Sequence, residues 1–243
     1  MINNKTVLIT GAAKRIGKSI ASDLAKNSWN IVIHYNNSDK EANELAEQII
    51  KDGHVADVVK ANLNDIDDVD NIFPIINNKM GKVNALINCA SLFEEDNAFS
   101  VNNDSFNNHI NINLRAPVIL SKYFSEQVTE GEDNNIINII DQRVLKLNPS
   151  HLSYTISKFG LWGVTQTLAQ AYSPLIRVNA IGPGPILMNK KQSKKDFDEE
   201  VLSTLLKKTP KLSDINDAIK FILNTTSVTG QMIAIDSGQH LAN

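Results

Sequence analysis

Short apolar runs and amphipathic stretches alternate along the whole chain. Lys5 to Thr10 reads as a buried strand, and Arg15 to about Lys26 carries the apolar spacing of a helix. Asn30 to Tyr35 is a second strand, with Ser38 or Asp39 opening a helix through Lys51. His54 to Lys60 and Asn84 to Asn88 are the next strands, separated by a helix from about Asp65 to Met80. A long helix is expected between about Asp104 and Val128, then a strand over Asn135–Ile140 and a helix over Leu152–Tyr172. Ile176 to Ile181 is a sixth strand. A charged stretch from Asn189 to Glu200 leads into one or two helices, and Met232 to Ile235 closes the set. This alternation predicts a parallel sheet with helices on both faces.

Composition narrows the partners. The chain has 243 residues, 42% of them hydrophobic, enough for a large core. Open α/β sheets of this length are usually one domain, so residues 1–243 are expected to form a single domain. A formal net charge of −3 argues against nucleic acid. The lone Cys89 excludes an internal disulfide and suits a reducing cytoplasm. Val7-Leu8-Ile9 is cut off by Gly11 and is no signal peptide, and no run approaches the roughly 20 apolar residues of a membrane span. Asn103-Asp104-Ser105 and Asn224-Thr225-Thr226 fit the glycosylation pattern only incidentally.

Two places carry chemistry. The first strand ends in Thr10-Gly11-Ala12-Ala13-Lys14-Arg15-Ile16-Gly17 before a helix. Such a turn lets backbone N–H groups and the helix dipole hold a pyrophosphate, with Gly11 making the turn and Gly17 allowing close packing. Arg15 stands where a middle glycine is usual. The second strand ends in His34-Tyr35-Asn36-Asn37-Ser38, with no acid before Asp39 to bind a ribose 2′-hydroxyl. Lys14 and Arg15 add positive charge, so a 2′-phosphate and therefore NADPH is expected; the plainer reading is that these residues cap the next helix. The second place is Tyr154-Thr155-Ile156-Ser157-Lys158. Tyr154 and Lys158 leave one helix face, and a neighbouring ammonium is expected to lower the phenol's pKa towards neutrality. Asp141 stands thirteen residues upstream.

Together these motifs resemble the short-chain dehydrogenase/reductase family over nearly the whole chain. Asn88-Cys89-Ala90, Asn113-Leu114, Arg177 to Gly184, and Thr229-Gly230-Gln231 to Asp236-Ser237-Gly238 complete the match in order and spacing. The resemblance implies an α/β, three-layer, doubly wound Rossmann-type fold with a mainly parallel seven-stranded sheet. It implies Asn113, Tyr154 and Lys158 as catalytic residues, with Lys158 on the nicotinamide ribose and Asn113 anchoring a water. Cofactor contacts are implied for Gly11, Lys14, Arg15, Ile16, Gly17, His34, Tyr35, Asn37, Ser38, Asn62, Leu63, Asn88, Ala90, Ser91, Tyr154, Lys158, Pro183, Gly184 and Ile186. It also implies NADPH/NADP+ as cofactor, no metal and a homotetramer.

The family's fourth catalytic residue is normally serine, and here it is Asp141. An ionised carboxylate only accepts hydrogen bonds, so beside a developing alkoxide it would raise the barrier. It suits a substrate with N–H donors or one needing a proton at nitrogen. The chain resembles the pteridine reductases within the family, including the dihydromonapterin and dihydrofolate type, which carry the same Asp and a Lys-Arg pair like Lys14-Arg15. Ala90-Ser91-Leu92-Phe93 and Ser237-Gly238-Gln239-His240-Leu241 resemble their segments. The implied substrate is a dihydropterin or folate, held by Arg15, Ser91, Phe93, Asp141 and Tyr154, with Pro183 to Leu187 over the nicotinamide and a lid at about 185–210. Cys89, Asn62 and Ser237 depart from the wider family and leave the adenine contacts open. Alternatives are a short-chain carbonyl reductase (3-oxoacyl or sugar substrate) and a catalytically silent nucleotide-binding protein.

Overall fold

The computed structural model describes residues 5–189 and 192–242. Its strands are β1 (Thr6–Ile9), β2 (Asn30–Tyr35), β3 (Ala56–Lys60), β4 (Ala85–Asn88), β5 (Asn134–Ile139), β6 (Ile176–Pro183) and β7 (Met232–Ile235). They form one seven-stranded sheet in the order β3-β2-β1-β4-β5-β6-β7. Every pairing is parallel, with Val7 opposite both Ile31 and Ala85. The helices are α1 (Arg15–Lys26), α2 (Asp39–Lys51), α3 (Ile66–Met80), α4 (Asn103–Ile110), α5 (Ala116–Glu126), α6 (Leu152–Ala171), α7 (Lys194–Leu202) and α8 (Leu212–Asn224).

The strands read as continuous apolar runs because both faces are covered. Val7 and Ile9 of β1, with Ile31 and Ile33 of β2, point into a core under α1, α2 and α8. Leu8, Val32 and Leu86 point the other way, against Ile72 and Phe73 of α3 and Leu120 and Phe124 of α5. This period of two places a helix layer on each side of the sheet. Helix α1 buries Gly17, Ile20, Ala21, Leu24 and Ala25, the i, i+3, i+4 stripe of an amphipathic helix. The strand order reverses between β1 and β4, so a crevice opens beyond their carboxyl ends.

The expected long helix over about 104–128 is interrupted. Asn111–Arg115 forms a π-helical turn between α4 and α5. Pro117 sits in the first turn of α5 and has no N–H to return to the carbonyl four residues back, so the ladder shifts register there. Asn113 lies in this turn and is fully buried.

The charged stretch after β6 begins with Lys190 and Lys191, which lie outside the described residues. Beyond them, Ser193 and Asp196 form a capping box that starts α7, a helix with no buried residue. Glu200 ties α7 to Gln192 (2.8 Å) and to Gln239 near the C-terminus (3.0 Å). No helix among the described residues is long and apolar enough to cross a membrane.

Candidate active site

At the carboxyl end of β1 the Thr10 hydroxyl accepts hydrogen bonds from the Cys89 and Ala90 N–H groups (2.9 and 3.0 Å), joining the first turn to the end of β4. Gly11 has φ 66°, and a Cβ there would meet Ala90 Cα at 2.8 Å. A Cβ on Gly17 would lie 2.5 Å from Gly11 O. Both positions therefore require glycine. Helix α1 begins without a side-chain cap and without an acid in its first turn, so its opening N–H groups are left for an anion. This cradle fits the pyrophosphate of a dinucleotide.

Several residues expected around the nucleotide sit differently from one another. His34 is buried: its Nδ1 accepts from Gly11 N–H (3.1 Å), and its Nε2 lies 3.1 Å from Ala61 O. Accepting at Nδ1 puts the proton on Nε2, and burial lowers the imidazole pKa to about 4. His34 thus holds the turn from behind, with both ring nitrogens engaged by backbone. Tyr35 and Leu63 are also buried. Asn37 is exposed, and Ser38 precedes α2 without spending its hydroxyl on a capping bond. Lys14 reaches Glu41 at 2.6 Å. Asn62 Oδ1 accepts from Asn64 N–H at 3.1 Å. Ile16 is half-buried; Pro183 and Ile186 are buried. A Cβ on Gly184 would meet Asp236 Cα at 2.6 Å.

Arg15, at φ 53°, turns its guanidinium across the crevice. Nη1 donates to Met188 O (2.9 Å) and Nη2 to Leu187 O (3.1 Å). It links the first turn to the segment after β6.

The residues expected to carry the chemistry converge from three elements. Asp141 follows β5, and its Oδ1 accepts from Arg143 N–H (2.8 Å), starting a 3-10 turn over Gln142–Val144. Its Oδ2 accepts from the Tyr154 hydroxyl at 2.7 Å. Lys158, one turn further along α6, is buried and donates to Ile139 O (2.8 Å), with its ammonium 5.8 Å from the centroid of the Tyr154 ring. Asn113 clamps Leu92: Oδ1 accepts from Leu92 N–H (2.8 Å), and Nδ2 donates to Leu92 O (2.9 Å) and to Ser157 Oγ (3.0 Å). Asn88 donates to Asn138 Oδ1 (2.8 Å) inside the sheet. Ala90 and Ser91 lead from β4 into the loop that carries Phe93.

The expected depression of the phenol pKa does not occur. Tyr154 is pushed well above the ordinary phenol value, first by burial and then by the Asp141 carboxylate it faces. Burial raises the Asp141 carboxyl as well, and the same burial lowers the Lys158 ammonium to about 8. Phenol and carboxylate together form a proton-holding pair beside a reluctant cation. Cys89, raised to about 12 by burial, is an inert filler.

His151, Asp96 and Arg143 escaped the sequence reading. Phe93 lies face to face with His151 (centroids 4.3 Å, planes 13° apart) and perpendicular to Tyr154 (4.6 Å, 88°). Asp96 accepts from Ser153 N–H (3.0 Å) and caps α6 from the loop after β4. Arg143 binds Asn148 and Ser150. Only His151 left a sequence signal, since it stands just before the helix that carries Tyr154.

Known proteins resemble this chain over all or nearly all of its length. A FolM alternative dihydrofolate reductase 1 from Brucella canis, solved with NADP, superposes with a TM-score of 0.96 and is 42% identical, over 100% of this chain and 96% of that one. Its Brucella suis counterpart, also with NADP, gives 0.93 and 41%, over 100% and 98%. The 3-oxoacyl-[acyl-carrier-protein] reductase FabG of Staphylococcus epidermidis is 26% identical over 98% of this chain and 100% of its own length. The model of the family described as short chain dehydrogenase matches residues 5–199. With that match over most of its length, the chain belongs to the short-chain dehydrogenase family.

Proposed function

We propose that this protein is an NADPH-dependent reductase that converts a dihydropterin or dihydrofolate to its tetrahydro form. The observation that carries the reading is the Asp141 carboxylate, hydrogen-bonded to the Tyr154 hydroxyl where a carbonyl reductase has a serine. A carbonyl oxygen gaining charge needs donors, and this pair offers one phenolic proton already committed to a carboxylate. A dihydropterin ring needs a proton at nitrogen and presents N–H groups, which a carboxylate accepts. The FolM dihydrofolate reductases from Brucella support the same choice.

Bound NADPH would supply the hydride. Lys158 holds the nicotinamide ribose and keeps a positive charge under Tyr154; Asp141 and Tyr154 receive and pass the proton. Asn113 keeps Leu92, and so the loop carrying Ser91 and Phe93, against α6. Phe93 stacks on the pterin, Ser91 contacts cofactor and substrate, and Arg15 leaves Leu187 and Met188 to meet them. The α1 turn, with Gly11, Ile16 and Gly17, cradles the pyrophosphate, while Asn88, Ala90, Pro183, Gly184 and Ile186 line the nicotinamide side. Lys14, Asn37 and Ser38 meet the 2′-phosphate; Asn62 and Leu63 meet the adenine; Tyr35 and His34 support that edge from within. The whole chain acts as one domain with residues 185–210 as its lid, and it works in the cytoplasm.

One assay tests both substrate and cofactor. Purified protein is offered dihydromonapterin, dihydrobiopterin, dihydrofolate and a 3-oxoacyl thioester, and loss of reduced nicotinamide absorbance is followed. Turnover of a dihydropterin but not the thioester is expected; the reverse would establish the carbonyl reductase reading that the FabG relatives favour. NADPH is expected to be preferred at least ~10-fold over NADH, because charge-assisted contacts to phosphate are each worth about 1.5–3 kcal/mol. Since Tyr35 is buried and Asn36 is exposed, Asn36→Asp is the change that should move preference towards NADH. Equal kcat/KM for the two cofactors in the unmodified protein would refute the assignment of the 2′-phosphate site.

A homo-oligomer, a tetramer by family resemblance, goes with this reading. On α6 the half-exposed Ile156 and Phe159, with Leu147, Asn148, Leu152 and Thr155, line an apolar hollow of about 340 Å³. A second copy of the chain covers it. Phe159→Lys should lower the mass measured by light scattering after gel filtration; an unchanged mass would place the contact elsewhere.

A further inference from the structure

His151 occupies the left-handed region (φ 57°) immediately before α6, where a side chain is strained. Helix capping does not demand this. Its own side chain makes no capping bond, and Asp96 supplies the cap through its carboxylate to Ser153 N–H and its carbonyl to Leu152 N–H (3.3 Å). What the conformation achieves is the face-to-face contact with Phe93.

That placement is held by a chain of bonds from the reaction centre. Asp141 accepts from the Arg143 N–H, and Arg143 Nη1 donates to Asn148 Oδ1 (2.6 Å) and Ser150 O (3.1 Å). Ser150 Oγ lies 3.1 Å from His151 Nδ1. Rings 4.3 Å apart touch, so nothing planar fits between them. Phe93 nevertheless keeps 37% exposure, so part of its ring stays open beside the contact with His151.

We propose that His151 is a positioning residue for the substrate: it backs Phe93, sets its ring perpendicular to that of Tyr154, and leaves the open part of the Phe93 ring to a planar heterocycle. This rests on the dihydropterin reading. It extends that reading by making pterin affinity depend on a ring that does not itself touch the pterin.

Two replacements separate ring from backbone. His151→Asn keeps a residue that tolerates the left-handed region but removes the ring; His151→Phe keeps a flat ring. Expected for His151→Asn is a KM for dihydropterin raised roughly three- to tenfold, the scale of an aromatic pair, with the KM for NADPH unchanged. His151→Phe should restore the dihydropterin KM. Combining His151→Asn with Phe93→Ala should be no worse than Phe93→Ala alone, because both act through one stack. A normal dihydropterin KM in His151→Asn, or a His151→Phe protein as impaired as His151→Asn, overturns the proposal while leaving the function intact. No dihydropterin turnover by the unmodified protein overturns the functional reading and this proposal with it. In that case the stack is still read independently, from the ring-current shift of the His151 Hε1 proton and its loss in Phe93→Ala.

Discussion

Asp141→Ser is expected to lower kcat for dihydropterin reduction by on the order of 10²–10⁴-fold, the range of general acid–base contributions. The substitution is a clean one. Asp141 starts the turn over Gln142–Val144 by accepting from Arg143 N–H, and serine is an equally good cap, so the local backbone should persist. What disappears is the charged second oxygen that accepts from the Tyr154 hydroxyl and is available to the ring's N–H groups, since serine has one neutral oxygen and spends it on the cap. If the natural substrate were a ketone, the same change would install the family's usual donor, and activity should be kept or raised. Tyr154→Phe should cost a similar factor. The double variant should lose less than the product of the two, because groups acting as a unit are not additive. The measurement is kcat in the four-member cycle, with folding checked by circular dichroism. Full dihydropterin activity in Asp141→Ser would remove the main reason for preferring a pterin to a carbonyl substrate.

The sheet was legible because parallel strands covered on both faces are bare apolar runs between amphipathic segments. β2, α1 and β7 fall at the residues where the periodicity put them. The break at Asn111–Arg115 was hidden because Pro117 is also compatible with the start of a helix turn; only the lost donor within a continuing helix shifts the ladder. The candidate site was legible as a list of residues and much less so as a set of partners. Spacing on a helix puts Tyr154 beside Lys158, and from that alone the phenol looks acidified. It does not reveal that both are buried or that the hydroxyl points at Asp141, the two facts that raise its pKa. His34 illustrates the same limit. A polar residue at the end of β2 reads as a nucleotide contact, yet its ring is consumed by Gly11 and Ala61 backbone, a pairing across separate strands that sequence spacing does not encode. Arg15 was found by its motif, while its bonds to Leu187 and Met188 span more than half the chain.

Lys158→Met should separate activity from stability. The ammonium is buried with one backbone acceptor, and its pKa falls from 10.5 to about 8, burial being the first cause. A lysine whose folded pKa is lowered binds fewer protons folded than unfolded between about pH 8 and 10.5. Stability therefore rises with pH through that window, and the penalty is fully present below it. The shift corresponds to about 3 kcal/mol, at 1.36 kcal/mol per pH unit. Methionine has similar length and no charge, so the variant lacks this pH dependence. Urea midpoints taken at pH 7 and near pH 9.5 should show the wild type gaining roughly 2 kcal/mol relative to Lys158→Met. Parallel curves would mean that Lys158 titrates as an ordinary surface lysine. Activity should move the opposite way. Removing a preorganised charge at a reaction centre costs on the order of 10²–10³-fold, so the variant should be nearly inactive even where it is well folded. The unmodified enzyme should likewise lose kcat/KM as pH rises through about 8, because deprotonating Lys158 removes the same charge. A group whose charge is costly to the fold at neutral pH is thus expected to be one the chemistry needs, as buried charges at catalytic centres commonly are.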